Sequence, residues 1–306
     1  MSITLEKLIA KIEKAIQDGG FSTDEIGDEV NLAQKRIAHG IKIPDSSLIT
    51  SPLPDLFTIG KVYCYPDTTA YASMPSNYDR QLQFIADEAG LEISIEHTFR
   101  NFARRYPLLD QTTTGKIQRV ALKGTNLYYQ PIKAITVIAA QTTISFTNST
   151  TKKISDSGNG LADLEAGDKI TVSGSTDNNV TVTVATVQSD GSYATVTEDT
   201  LTTEAAGDEV TIKRGERLTV HYYRITTDMS EGSSVPDGIP DVLQEELLKN
   251  YVLKELYDLV EDGIEGKKAN TDRYETKFNK ALIEMERTTD VDGGSLFLSD
   301  EDETPY

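Results

Sequence analysis

Few residues in this chain have the type and spacing that chemistry demands. The three histidines, His39, His97 and His221, share no metal-type spacing with one another or with Cys64. Cys64 is the sole cysteine, so neither an internal disulfide framework nor a Cys-based zinc cluster can form. Gly263-Ile264-Glu265-Gly266-Lys267-Lys268 superficially matches a phosphate loop, but it lacks the Gly-x-x-x-x-Gly-Lys-Ser/Thr spacing and follows a helical pattern. It reads as a helix connector. Asp290-Val291-Asp292 with Glu301 opens like a calcium loop, yet the fifth position is Gly294 and the obligatory sixth-position glycine is Ser295. Asp156, Asp163, Asp168 and Asp208 lie in turn sequences and could hold a cation, although turn chemistry accounts for them without one. There is no Gly-x-Ser-x-Gly elbow. The expectation is a protein that is not an enzyme and needs no cofactor and no metal.

Two other constellations point to partners rather than reactions. Arg100, Arg104 and Arg105 form the densest arginine cluster, interleaved with Phe99, Phe102 and Tyr106 at helical spacing. One reading is a small amphipathic helix with aromatic core residues and solvated arginines. The other is a subunit contact, in which planar guanidinium groups meet an acidic neighbour, including another copy of this chain. Past Thr288 there is no basic residue, and Gly293-Gly294 precedes Ser295-Leu296-Phe297-Leu298, a run of acids and a final Tyr306. Such a tail is expected to be disordered alone. Its apolar triplet fits a segment that orders on a partner by strand addition or groove binding, the competing reading being an inert acidic tail.

The chain has 306 residues and a formal charge of −19. That length supports two compact domains with real cores. The acidic balance opposes gripping nucleic acid, which needs clustered Lys and Arg, but suits a surface along which DNA slides. No stretch approaches the roughly 18 apolar residues of a membrane helix. The first residues lack the apolar region of a signal peptide, so synthesis in a reducing cytoplasm is expected.

Ile3 to Gln17 carries Leu5, Leu8, Ile9, Ile12 and Ile16 at helical spacing, and a second helix from Thr23 or Asp24 carries Ile26, Val30, Ala33 and Ile37. From Leu56 onward short extended segments follow, with a short helix over His97–Tyr106 stopped by Pro107 and a hairpin pairing Arg119–Leu122 with Asn126–Tyr129. Pro240 is placed to open a long helix whose stripe runs from Leu243 to Val260, and a second helix carries Tyr274, Phe278, Ala281, Leu282 and Met285. Between the hairpin and these two helices, 135–213 contains no Arg and no His, and Phe146 and Tyr193 are its only aromatics. It alternates and turns like an inserted β-domain, with Ala166-Gly167-Asp168 echoed by Ala206-Gly207-Asp208. Removing it aligns Leu127–Pro131 with Leu218–Tyr223 as two strands of one sheet. The expected fold class is α+β: a helical bundle with a small β-sheet, carrying an inserted all-β barrel or sandwich. The expected domains are a discontinuous 1–134 with 214–288, the insert at 135–213 and a tail at 289–306.

With the insert set aside, Met74-Pro75-Ser76-Asn77-Tyr78, Phe102–Pro107, Leu127–Pro131, Leu218–Tyr223, Gly238–Asp241, Asn250–Glu255, Val260–Gly263 and Tyr274–Phe278 follow one another in an order that resembles tailed-phage head-to-tail adaptors, also called neck or head completion proteins. The resemblance covers most of the chain outside the insert, through diffuse motifs. It implies a virion structural protein made in the host cytoplasm. It also implies a homo-oligomeric ring, typically of twelve subunits, between the portal protein and a downstream neck or tail protein, with DNA passing through its channel. Portal contact would then fall to Leu296, Phe297, Leu298 and Tyr306, and subunit contact to Arg100, Arg104 and Arg105. Another neck or tail-tube component is the nearest alternative. A carbohydrate- or surface-binding module is a further one, disfavoured by the two aromatics available in the insert.

Overall fold

The computed structural model describes residues 2–16, 20–40, 48–50, 53–107, 114–261, 268–289 and 297–299. In chain order, α1 (Leu5–Ile16) and α2 (Thr23–Ala38) precede β1 (Leu48–Thr50), β2 (Phe57–Tyr63), β3 (Tyr71–Ser73), β4 (Tyr78–Ala86) and β5 (Ser94–Ile95). Then come α3 (Phe99–Arg105), β6 (Arg119–Lys123) and β7 (Asn126–Gln130). The next strands are β8 (Ala134–Gln141), β9 (Ile144–Asn148), β10 (Lys152–Asp156), β11 (Lys169–Ser173), β12 (Thr181–Val187), β13 (Tyr193–Val196) and β14 (Val210–Gly215). The chain continues through β15 (Arg217–Arg224), α4 (Gln244–Glu261), α5 (Ala269–Thr289) and β16 (Phe297–Ser299). It divides into two compact units, 1–58 with 223–306, and 59–222. No helix among the described residues is long and apolar enough to cross a membrane.

In the first unit, periodicity dictates packing. The five predicted residues of α1 and the four of α2 are all buried. They join Leu247, Leu248, Tyr251, Val252 and Leu256 of α4 and Tyr274, Phe278, Leu282 and Met285 of α5 in one core. Each such side chain removed from water contributes about 1.5–3 kcal/mol before entropy is charged against it. A reciprocal capping box starts α2: Ser22 Oγ accepts from Glu25 N at 3.3 Å, and Glu25 Oε2 accepts from Ser22 N at 2.8 Å. α4 begins at Gln244 rather than at Pro240, which instead closes a separate turn by accepting from Leu243 N at 2.9 Å. At the far end of α4, Glu261 accepts from Asn270 N and Thr271 N at 3.1 and 3.2 Å, satisfying donors in the first turn of α5. The stripe of α4 is buried through Leu256, but Leu259 and Val260 are exposed.

The second unit holds three sheets, ordered β2-β15-β4, β3-β7-β6-β5 and β8-β14-β11-β12-β13-β10-β9. The β6–β7 hairpin forms as expected, with Lys123 paired to Asn126 across a two-residue Gly124-Thr125 turn in which Gly124 has a φ of 62. β7 and β15, however, do not share a sheet: β7 lies between β3 and β6, whereas β15 lies between β2 and β4. The alignment across the insert is therefore incorrect.

The seven-stranded sheet occupies Ala134–Gly215 and encloses its own core, including Ile138, Phe146, Ile170, Val184 and Ile212. Its two outermost strands, β8 and β9, are joined only by Thr142-Thr143. In a flat sheet they would stand about 29 Å apart at about 4.8 Å per strand. Two linking residues reach only about 11 Å. The sheet must therefore curl until its edges meet. Register shifts in the β14–β8 and β12–β13 pairs add the local bends. An isolated bridge between Phe146 and Glu204 ties β9 to the segment leading into β14. The echoed turns feed β11 and β14, which pair antiparallel.

The expectation of a helical bundle with a small β-sheet is overturned. Among the described residues there are sixteen strands against five α-helices, and the largest sheet has seven strands. Strong helical stripes dominate the sequence pattern, whereas most strands outside the insert, the β6–β7 hairpin excepted, find their sheet partners far along the chain. The two sheets built from them belong to the same compact unit as the insert.

Candidate functional site

Lys61-Val62-Tyr63-Cys64-Tyr65 alternates in the manner of an extended chain: Val62 and Cys64 are buried, while Lys61, Tyr63 and Tyr65 project outward. On β3, Ala72 is buried between the exposed Tyr71 and Ser73. On β11 and β12 the outward positions include Lys169 and Thr183, flanking the buried Ile170 and Val182. These outward faces border one cavity of about 340 Å³ in the second unit, lined by Lys61, Tyr63, Tyr65, Tyr71, Lys169 and Thr183 among others. Gly167 makes the close approach possible, since a Cβ there would stand 2.6 Å from the Tyr63 ring.

Both lysines of this groove are already compensated. Lys61 Nζ donates to Glu165 at 2.8 and 2.9 Å. Lys169 Nζ donates to Thr183 Oγ1 at 2.6 Å, lies 5.3 Å from the Tyr65 ring centroid, and Thr183 in turn donates to Glu198 at 2.6 Å. Burial works against charge on Glu165 and Glu198, but hydrogen bonds from Lys61 and from Thr183 outweigh it and hold both carboxyls below their ordinary range. Burial, reinforced by the Glu165 charge, pushes the Tyr63 phenol up to about 12, so it remains a neutral donor. Behind Glu165, Arg217 forms a bidentate pair with Asp168 at 2.6 and 2.8 Å. The Arg217 backbone N–H donates to Glu88, which also receives Arg214 Nη2 at 2.9 Å. This chain of charges locks the curled sheet to the strands that carry the tyrosines.

Of the four turn acids, Asp156, Asp168 and Asp208 accept through their carboxylates from protein donors, whereas Asp163 accepts from Arg217 through its backbone carbonyl. Asp156 accepts from Thr143 Oγ1 and from the N–H groups of Gly158 and Gly160 at 2.6–2.8 Å. Asp168 accepts from Glu165 N and Arg217, and Asp208 accepts from Thr176 N and Oγ1. Glu204, not singled out in the sequence, accepts from four protein donors. It accepts from Ser175 Oγ at 2.5 Å, Asn178 Nδ2 at 2.6 Å, Thr176 N at 3.1 Å and Asp177 N at 3.2 Å. Burial alone would raise its pKa, but these donors outweigh burial and lower it to about 2.

The arginine cluster lies on α3 and its aromatic partners lie inward. Thr98 caps the helix by accepting from Asn101 N at 3.2 Å. Phe102 is fully buried and its ring centroid is 5.1 Å from that of Tyr106, while Phe99 lies 4.7 Å from Tyr128. Arg100, Arg104 and Arg105 are exposed. Arg105 is 3.6 Å from Glu96; Arg100 and Arg104 form no ion pair among the described residues. Of the tail residues, Leu296 and Tyr306 lie outside the described residues, as do Gly293-Gly294 and the Asp290–Asp292 segment. Phe297 and Leu298 belong to β16, which pairs antiparallel with β1: Phe297 opposite Thr50 and Leu298 opposite Ile49. In the helical unit, α4 and α5 flank a mixed-charge groove of about 540 Å³ lined by Glu246, Lys249, Lys277, Lys280 and Glu284.

No family model matches this chain, and no curated protein matches it significantly. The tyrosine groove and Glu204 are what sequence reasoning missed. The period-two pattern of Lys61, Tyr63 and Tyr65 is the signal that could have found the first. Nothing local marks the second, because its donors come from another loop.

Proposed function

We propose that this chain is a non-enzymatic assembly protein of the head-to-tail adaptor kind, forming a ring of identical subunits between a phage portal and a downstream neck or tail protein. The observation that carries the reading is the pairing of β16 with β1. A short apolar segment beyond the last long helix engages by backbone strand addition, a mode that can serve a neighbouring protein as readily as its own chain. Three further features support it. Exposed arginines on α3 stand beside a chain of strong net negative charge, a combination that favours head-to-tail contacts between copies. Val242, Leu259 and Ile283, on and just before the hairpin helices, are 72%, 67% and 48% exposed, offering apolar surface for lateral packing. A charge of −19 suits a conduit through which DNA passes without adhering.

Electron microscopy of portal rings incubated with the full chain tests this reading. Density for a closed ring of this chain on the portal is expected, and its loss is expected on deleting 290–306 or on reversing charge at Arg100 and Arg104. A portal surface bearing no density from the intact chain would overturn the proposal.

A further inference from the structure

We propose that the groove between Tyr63, Tyr65, Tyr71 and the Lys169–Thr183 edge of the curled sheet binds a neutral glycan. Three properties of the groove suit such a ligand. First, it presents aromatic rings at a concave surface. Tyr71 is 46% exposed and lies 5.3 Å from Tyr128, which braces it from behind. Tyr63 is backed by Gly167, whose missing side chain lets the turn lie against the ring. Rings fixed in this way offer apolar faces to the C–H faces of a sugar at little cost in side-chain entropy.

Second, the polar groups come as paired donors and acceptors. Lys61 with Glu165, and Lys169 with Thr183 and Glu198, form two short networks at opposite lining strands. A vicinal diol both donates and accepts, so it can insert into such pairs without leaving any group unsatisfied.

Third, charge selects against the obvious competitor. Tyrosines beside lysines also suit single-stranded nucleic acid, through base stacking and phosphate contacts. Here Lys61 is paired with Glu165 at 2.8 Å, and Lys169 is linked to Glu198 through Thr183. A phosphate would have to compete with Glu165 for Lys61, whereas a neutral ligand can leave that pair intact. The cavity of about 340 Å³ lies at the small end of the range for ligand pockets, room for a mono- or disaccharide unit of a longer chain. The site joins residues on either side of the insert boundary, so it supplies the aromatic platform that the insert itself lacks. It is independent of ring formation.

The test is calorimetric and saturation-transfer NMR titration of the full chain with maltohexaose, cellohexaose and chitohexaose, alongside polygalacturonate and an oligothymidylate. At least one neutral oligosaccharide is expected to bind, with an affinity indifferent to salt. Tyr71→Ala should weaken it about tenfold or more, and Thr183→Val should weaken it too, with far-UV circular dichroism unchanged. Tyr193→Ala, outside the groove, should leave it intact. Absence of binding by all three neutral oligosaccharides, indifference to both groove substitutions, or tighter binding of either anion would overturn the proposal.

Discussion

Glu204→Gln isolates the contribution of one carboxylate to the curled sheet. Glu204 joins two loops: its backbone pairs with Phe146 at 2.9 and 3.0 Å, and its side chain collects the four donors from Ser175 to Asn178. Glutamine keeps the shape but loses the charge and turns one acceptor into a donor facing other donors. A carboxyl shifted from its ordinary 4.5 to about 2 corresponds to about 3.4 kcal/mol of preferential stabilisation of the folded state. The loop is half open to water, and screening reduces this to about 2 kcal/mol. Because the folded-state value is depressed, the contribution is complete above 4.5 and is lost as the pH falls toward 2. Urea unfolding of wild type and variant, followed by tyrosine fluorescence at stepped pH, reads the difference, and groups common to both proteins cancel. At pH 7 the β unit's midpoint should fall by about 1 M urea in the variant. By pH 3 the gap should have narrowed to less than about 1 kcal/mol. A variant as stable as wild type at pH 7, or a gap that stays constant between pH 7 and pH 3, would refute the reasoning.

Two further substitutions probe other parts of the second unit. Phe102→Ala removes the fully buried anchor of α3 and should cost about 3–5 kcal/mol, measured by urea unfolding, with hydrogen exchange rising first in 99–105. Gly167→Ala places a Cβ against the Tyr63 ring at a φ of +100 and should destabilise by about 1–3 kcal/mol; an unchanged midpoint would mean that the turn relaxes freely.

The helices were legible because their information is local. Leu5 to Ile16, Ile26 to Ile37 and Tyr274 to Met285 repeat at the period of the helix, and every apolar residue read as a stripe there is buried. The turn glycines Gly167 and Gly207 were legible for a similar reason, since a positive φ constrains residue type on the spot. Strand pairing was not. Leu127–Pro131 and Leu218–Tyr223 read as two strands of one sheet but lie in different ones, because the backbone groups that pair strands are the same at every residue. The number of strands outweighing the helices was missed for the same cause, because β3 and β5 are too short to show periodicity.

The candidate sites divide along that line. The sequence alone determined that Phe102 faces inward while Arg100, Arg104 and Arg105 face solvent, since spacing around one short helix settles both. It determined the strongly negative charge and the separation of an apolar segment from the last helix. Only the tertiary structure decided that β16 pairs with β1, that Glu204 collects the 175–178 loop, and that Tyr63 and Tyr71 meet Lys169. Each of these joins residues about 26 to 250 positions apart in sequence. No local propensity encodes such meetings; they follow from which strands and loops lie side by side once the chain has folded.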